Sequence, residues 1–92
     1  MLESDADRLA MITSLGGQLI RHQGGEFWAL FDRDFVLVVE AVETRQPALT
    51  ARTCDVQHLP KDTVLNISGE EPYRIKRPEP DGTGMTIIIL KR

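Results

Sequence analysis

The 92-residue chain lacks most of what marks a reactive site. It has a single cysteine, Cys54, so no disulfide can form within it, and this usage fits a reducing compartment. No nucleophile motif surrounds Cys54, which reads as a small, half-buried residue at a strand end. Histidine occurs only at positions 22 and 58, and no HxxxH, CxxC or calcium-loop spacing is present, so neither a metal nor a cofactor has sequence support. Basic residues are in deficit, 11 against 14 acidic, and the net charge of −3 leaves no surplus with which to grip duplex DNA. The longest apolar runs fall far short of the roughly 20 residues a membrane helix needs. The first fifteen residues carry Glu3, Asp5 and Asp7 and no signal-peptide core. These absences lead to the expectation of a cytosolic protein with no catalytic machinery.

What is present is ordinary globular composition, 41% hydrophobic and 27% charged, in a length that suits one domain spanning residues 1–92. Residues 1–15 read as a short helix, opened by Ser4 and Asp7 in capping-box spacing and stopped by Gly16-Gly17. Ala6, Leu9, Ala10 and Thr13 supply a thin apolar stripe, so the helix is marginal without a surface to dock on. From Gln18 onward the texture is that of strands: Gln18–His22, Glu26–Asp32, Phe35–Val42, Ala48–Thr53, Thr63–Ile67, a strand placing Tyr73 and Ile75 inward, and Met85–Leu90. Asp32 and Asp34 flank an expected turn, Glu43–Pro47 (ETRQP) reads as a loop, and Asp55–Leu59 reads as one helical turn. Ser68–Glu71 forms a hairpin connection, and Pro78 with Pro80 ends the Tyr73 strand. The fold class is therefore all-β and mainly antiparallel, a small sandwich or barrel of six to seven strands with one short N-terminal helix.

The glycine-rich stretch Pro80–Thr86 (PDGTGMT) tests the enzyme reading. A phosphate loop needs a lysine after its last glycine and a helix to follow. Here Met85 follows Gly84, and β-branched residues push the next segment toward strand. The stretch therefore reads as a hairpin turn in which glycine supplies a positive φ. Glu70-Glu71 reads as a solvated pair at a hairpin tip. Trp28 reads first as a core residue of a strong strand, with a partner anchor as the alternative.

Taken in order, several segments carry a resemblance. FWALFDRDF follows the helix and a Gly-Gly turn, and PALTARTCDV gives a strand ending in Asp55-Val56. Leu59 and KDTVLNI come next, then Tyr73-Arg74-Ile75, then PDGTGMT before the closing apolar strand. From about Gly16 to Leu90 the chain resembles the small head–tail joining proteins of lambda-like tailed phages and prophages. It departs from them where Thr63 rather than glycine follows Asp62, and where the stretch from Val42 to Pro47 is short. The resemblance implies an all-β structural protein without a cofactor that docks on the portal-side connector of a DNA-filled head and presents a surface to the tail. It implies work as a homo-hexameric ring in the virion, assembled in the host cytoplasm from chains that can be monomeric in solution. The residues expected at its contacts lie in Met1–Leu15 and Glu43–Ala48, with Leu9, Ile12, Glu43, Arg45, Gln46 and Arg52 as candidates. The alternative is a small ligand-binding β-barrel accessory to an ATP-driven sugar or oxyanion transporter.

Overall fold

Alternation of apolar and polar residues produces the interior directly. Leu49 and Ala51, Tyr73 and Ile75, and Ile88 and Leu90 each lie two residues apart, and all are buried together with Ile20, Phe27, Ala29, Val56, Leu65 and Ile67 in one cluster. The computed structural model describes residues 5–80 and 82–92, with the side chains of Asp5, Leu37 and Val39 outside that description. Its elements are α1 (Asp5–Ser14), β1 (Gln18–His22), β2 (Gly25–Val39), β3 (Val42–Arg52), α2 (Thr53–Val56), β4 (Val64–Leu65), β5 (Tyr73–Pro80) and β6 (Met85–Lys91). The strands form one antiparallel sheet in the order β1-β2-β3-β6-β5-β4. Its two ends meet where the Arg21 N–H donates to the Asn66 carbonyl at 3.1 Å and the Asn66 N–H donates to the Arg21 carbonyl at 2.7 Å. The result is a nearly closed barrel, the all-β architecture expected from the strand pattern.

The sheet has a second layer on one side only. Ala48 and Ile89 are paired across β3 and β6, and both are buried although they face away from the interior. Met85 shares their face and is buried as well. Helix α1 packs on β2 and β3, and its Ile12 is fully buried yet outside the interior cluster. The apolar stripe expected from Ala6, Ala10 and Thr13 is exposed, and Ile12 is the residue that anchors the helix. The helix ends as its glycines dictate. The Gly17 N–H donates to the Ile12 carbonyl at 2.9 Å and the Gly16 N–H to the Thr13 carbonyl at 3.3 Å, with Gly16 at φ +92°. A Cβ on Gly17 would fall 2.5 Å from Ile12 Cγ2, so the close approach needs glycine there. Ser4, the expected cap, lies outside the described residues.

Three expectations are corrected. The apolar run is one strand, β2, and Asp32–Asp34 is not a turn between two. One extra residue is accommodated between Asp32 and Phe35 as a bulge, and the Asp34 N–H donates to Asp32 Oδ1 at 3.0 Å. The reversal comes later, at Glu40-Ala41, which take φ of 51° and 65° and join Val39 directly to Val42. Consequently ETRQP is strand and not loop. Pro47 is tolerated because the side that lacks its N–H faces away from β2, as the N–H groups of Glu43 and Arg45 do, and it lies beyond Ala48, where β6 stops pairing. Pro78 likewise lies inside β5 and does not end it, whereas Pro80 is its last residue. They sit opposite Ile88 and Thr86, two residues apart, so both missing N–H groups face the side that β4 does not cover.

The turn before β6 is held from two sides. The Thr53 N–H donates to the Gly84 carbonyl at 2.8 Å, and the Thr53 and Thr86 hydroxyls share a hydrogen bond at 2.8 Å. The Arg8 guanidinium lies against Gly84, so close that a Cβ there would stand 2.5 Å from Arg8 Cζ. Gly82 and Gly84 have φ of +81° and +97°, in keeping with the hairpin-turn reading, while Asp81 lies outside the described residues. The short helix expected at Asp55–Leu59 begins two residues earlier, at Thr53, where these bonds fix its start.

Two predictions follow from this packing. Ile12→Ala should release α1 without unfolding the barrel. The substitution removes up to about 2–5 kcal/mol of packing, more than a ten-residue helix retains on its own. Amide exchange should therefore accelerate in Asp5–Ser14 while β3 and β6 stay protected. The second concerns Asp62, whose Oδ1 lies 2.6 Å from Lys91 Nζ. The hydrogen bond from Lys91 holds this carboxyl below its ordinary value of 3.8. Its contribution to stability is present above that value and is lost as pH falls through the lower folded one. In a carboxyl-resolved NMR titration, Lys91→Met should move the Asp62 midpoint upward.

Candidate assembly surface

Pairing on either side of β2 and β3 ends at different heights, and this creates a projecting arm. β1 covers β2 from Gly25 to Ala29, and β6 covers β3 from Ala48 to Arg52. Beyond these limits Phe35–Val39 and Val42–Gln46 pair only with each other, closed at the tip by Glu40-Ala41. The arm carries exposed apolar side chains where a soluble ribbon would carry polar ones: Val36, Val38 at 63% and Val42 at 61%. At its base Arg33 makes an ion pair with Glu70 in the β4–β5 connection. Beside it Lys76 Nζ donates to Gln46 Oε1 at 3.3 Å. The expected solvated pair Glu70-Glu71 is thus engaged at both members, since Glu71 pairs with Arg92 at 3.0 Å.

The candidate contact residues separate into groups. Glu43 and Arg45 are exposed on the arm, directly opposite Val38 and Val36, and Gln46 is half-buried at its base. Leu9 is half-buried on α1, and Ile12 points inward and is fully covered. Arg52 lies at the far end of β3. There its Nε and Nη2 reach Asp55 Oδ2 and Oδ1 at 2.7 and 3.0 Å, a two-pronged pair about four-fifths buried on both sides. Arg52 therefore braces α2 against the strand end. Cys54, expected half-buried, is exposed on α2.

Trp28 corrects the core reading. It sits opposite Leu19 on the outer face and is 38% exposed, because the interior face of β2 belongs to Phe27 and Ala29. With Leu15, 66% exposed at the end of α1, it adds an apolar surface apart from the arm. The exposed valines were hidden in the sequence, since FVLVV has the composition of a central buried strand.

Concave chemistry is sparse. A depression of about 400 Å³ is lined by His22, Gln23, His58, Leu59, Pro60 and Thr63. In it the Gly24 N–H donates to His22 Nδ1 at 3.2 Å, which makes that nitrogen the acceptor. Among the described residues no group of three or more His, Cys, Asp or Glu side chains is placed to hold a metal ion. No helix among them is long and apolar enough to cross a membrane.

Comparison with known proteins then decides the family. The family model for the phage head–tail attachment protein matches residues 2–90. The chain belongs to the phage head–tail attachment family. No curated protein matches it. The attachment family is a family of structural phage proteins, in agreement with the resemblance read from the sequence, and the match lends no support to the transporter alternative.

For the attachment protein, the Arg52–Asp55 pair yields a prediction. Arg52→Ala leaves a largely buried carboxylate without its two charged hydrogen bonds and should cost about 1–3 kcal/mol in urea unfolding. A double-mutant cycle with Asp55→Ala should recover a coupling of about 1 kcal/mol.

Proposed function

We propose that this attachment protein is one subunit of a homo-hexameric ring between the portal-side connector of a DNA-filled head and the end of the tail, acting through protein–protein contacts and catalysing nothing. Residues 1–92 act as one unit, assembled in the host cytoplasm and carried in the virion. The observation that carries this reading is the arm, a ribbon whose Val36, Val38 and Val42 stand in solvent on a barrel otherwise well packed. Glu43, Arg45 and Gln46 supply polar contacts on the same ribbon, and Leu9 and Leu15 supply the helix side.

The acidic balance, −3 per chain, suits a ring through which DNA passes without adhering. Retention of duplex DNA by the purified chain at physiological salt would contradict that point.

The test is restoration of tail joining in extracts that hold full heads and free tails but no attachment protein. Leu15→Glu and the pair Glu43→Ala/Arg45→Ala alter exposed groups and should leave thermal unfolding unchanged. Each should lower joining about tenfold or more, the usual cost of losing a well-packed contact. Undiminished joining by both variants would remove Leu15 and the side chains of Glu43 and Arg45 from the mechanism.

A further inference from the structure

The arm has two open edges, and they differ. In a hairpin with a two-residue turn, the residues bracketing the turn form a hydrogen-bonded pair, and bonding alternates from there. Val39, Leu37 and Phe35 therefore bond to Val42, Thr44 and Gln46, their partners in register. Val36 and Val38 on β2, and Glu43 and Arg45 on β3, turn their N–H and C=O groups outward. Among the described residues no strand covers these groups, because β1 stops at Ala29 and β6 at Ala48.

Other edges in the fold are blunted. The outer side of β5 beyond Ile75 carries Pro78 and Pro80, and β4 is two residues long. The β3 edge bears Glu43 and Arg45 and ends at Pro47. The β2 edge from Phe35 to Val39 has no proline and no charge, and a bare edge of this kind is an open template for another strand.

Resting on the ring reading, we propose that the occupant is a second copy of this chain: the β2 edge of each arm pairs with the β3 edge of its neighbour, so that the arms close into one continuous antiparallel sheet around the ring. The geometry favours a second copy over a foreign strand. Rotation about an axis along the arms sets β2 beside the neighbouring β3 in antiparallel sense, the relation the two already have within one arm. It also preserves height. Val38 is level with Glu43 and Val36 with Arg45. The outward groups of Val36 and Val38 therefore meet those of the neighbouring Arg45 and Glu43, with the same two-residue spacing. Such a head-to-tail contact uses both edges of every copy and leaves none open when the ring closes. A foreign strand would satisfy one edge and leave the other bare.

The outward N–H groups make a selective test possible. Val38→Pro removes a donor that the hairpin does not use, whereas Leu37→Pro removes one that it does. Val38→Pro should keep the unfolding temperature of the unmodified chain yet lower head–tail joining about tenfold or more. Val38→Thr, which retains the N–H and alters only the side chain, should lose far less joining than Val38→Pro, and Leu37→Pro should lose both stability and joining. In a Cys54→Ser background, single variants Val38→Cys and Glu43→Cys are mixed, bound to tail-less full heads and oxidised. The expected product is a disulfide between the two different variants. Normal joining by Val38→Pro, an equal loss in Val38→Thr, or disulfides only between two Val38→Cys chains would each overturn the edge-to-edge arrangement while leaving the head–tail role intact. Failure of the unmodified chain to bind heads at all would overturn the ring reading, and this proposal with it.

Discussion

Closure of the sheet governs where this molecule can interact. The reciprocal bonds between Arg21 and Asn66 bring β1 to β4, and that contact joins the ends of a six-stranded sheet. Once the ends meet, the apolar side chains of the barrel share one interior. Unpaired main chain is then concentrated where strands outrun their neighbours. β2 and β3 do so furthest, and the arm is the result. The same closure leaves little room for a deep cleft, because the interior of so small a barrel is filled by its own side chains.

The outer layer is built with less redundancy. Helix α1 is attached through its buried Ile12, by its packing on β2 and β3, and by Arg8 lying on the turn at Gly84. A helix of this length owes its order to that seat and not to its own propensity. Arg8, Gly84, Thr53 and Thr86 link the helix, the last turn and the start of α2 into one brace at the end of β3 opposite the arm. One end of the barrel is thus held by side-chain contacts, while the other extends a paired ribbon whose two outer edges are open. That division suits a part which must keep its shape in solution and still present binding groups to a larger assembly.

Much of this was legible in the residues. Alternation marked the Ala48–Thr53 and Tyr73–Ile75 segments, β-branched residues marked β6, and the Gly16-Gly17 stop fell where expected. The arm was not legible, for physical reasons. A bulge and a turn share the same aspartate chemistry, so Asp32 and Asp34 pointed to the wrong one. The true reversal, Glu40-Ala41, has neither glycine nor asparagine to announce its positive φ. ETRQP is polar because it lies on an exposed ribbon, and polarity alone does not distinguish that from a loop. Ile12 was read as a contact residue and not as the helix's buried anchor, because a single buried contact leaves no periodic stripe. Of the contact residues, Glu43, Arg45 and Gln46 cluster on the arm, whereas Ile12 and Arg52 serve to hold elements together.

The central claim is that a nearly closed barrel with its other edges blunted assembles through the main-chain edges of its arm. A near-atomic reconstruction of the attachment protein on full heads addresses this directly. The account predicts continuous density between adjacent arms, with strands about 4.8 Å apart from one copy to the next. Arms separated by solvent, or folded singly onto the connector, would contradict it.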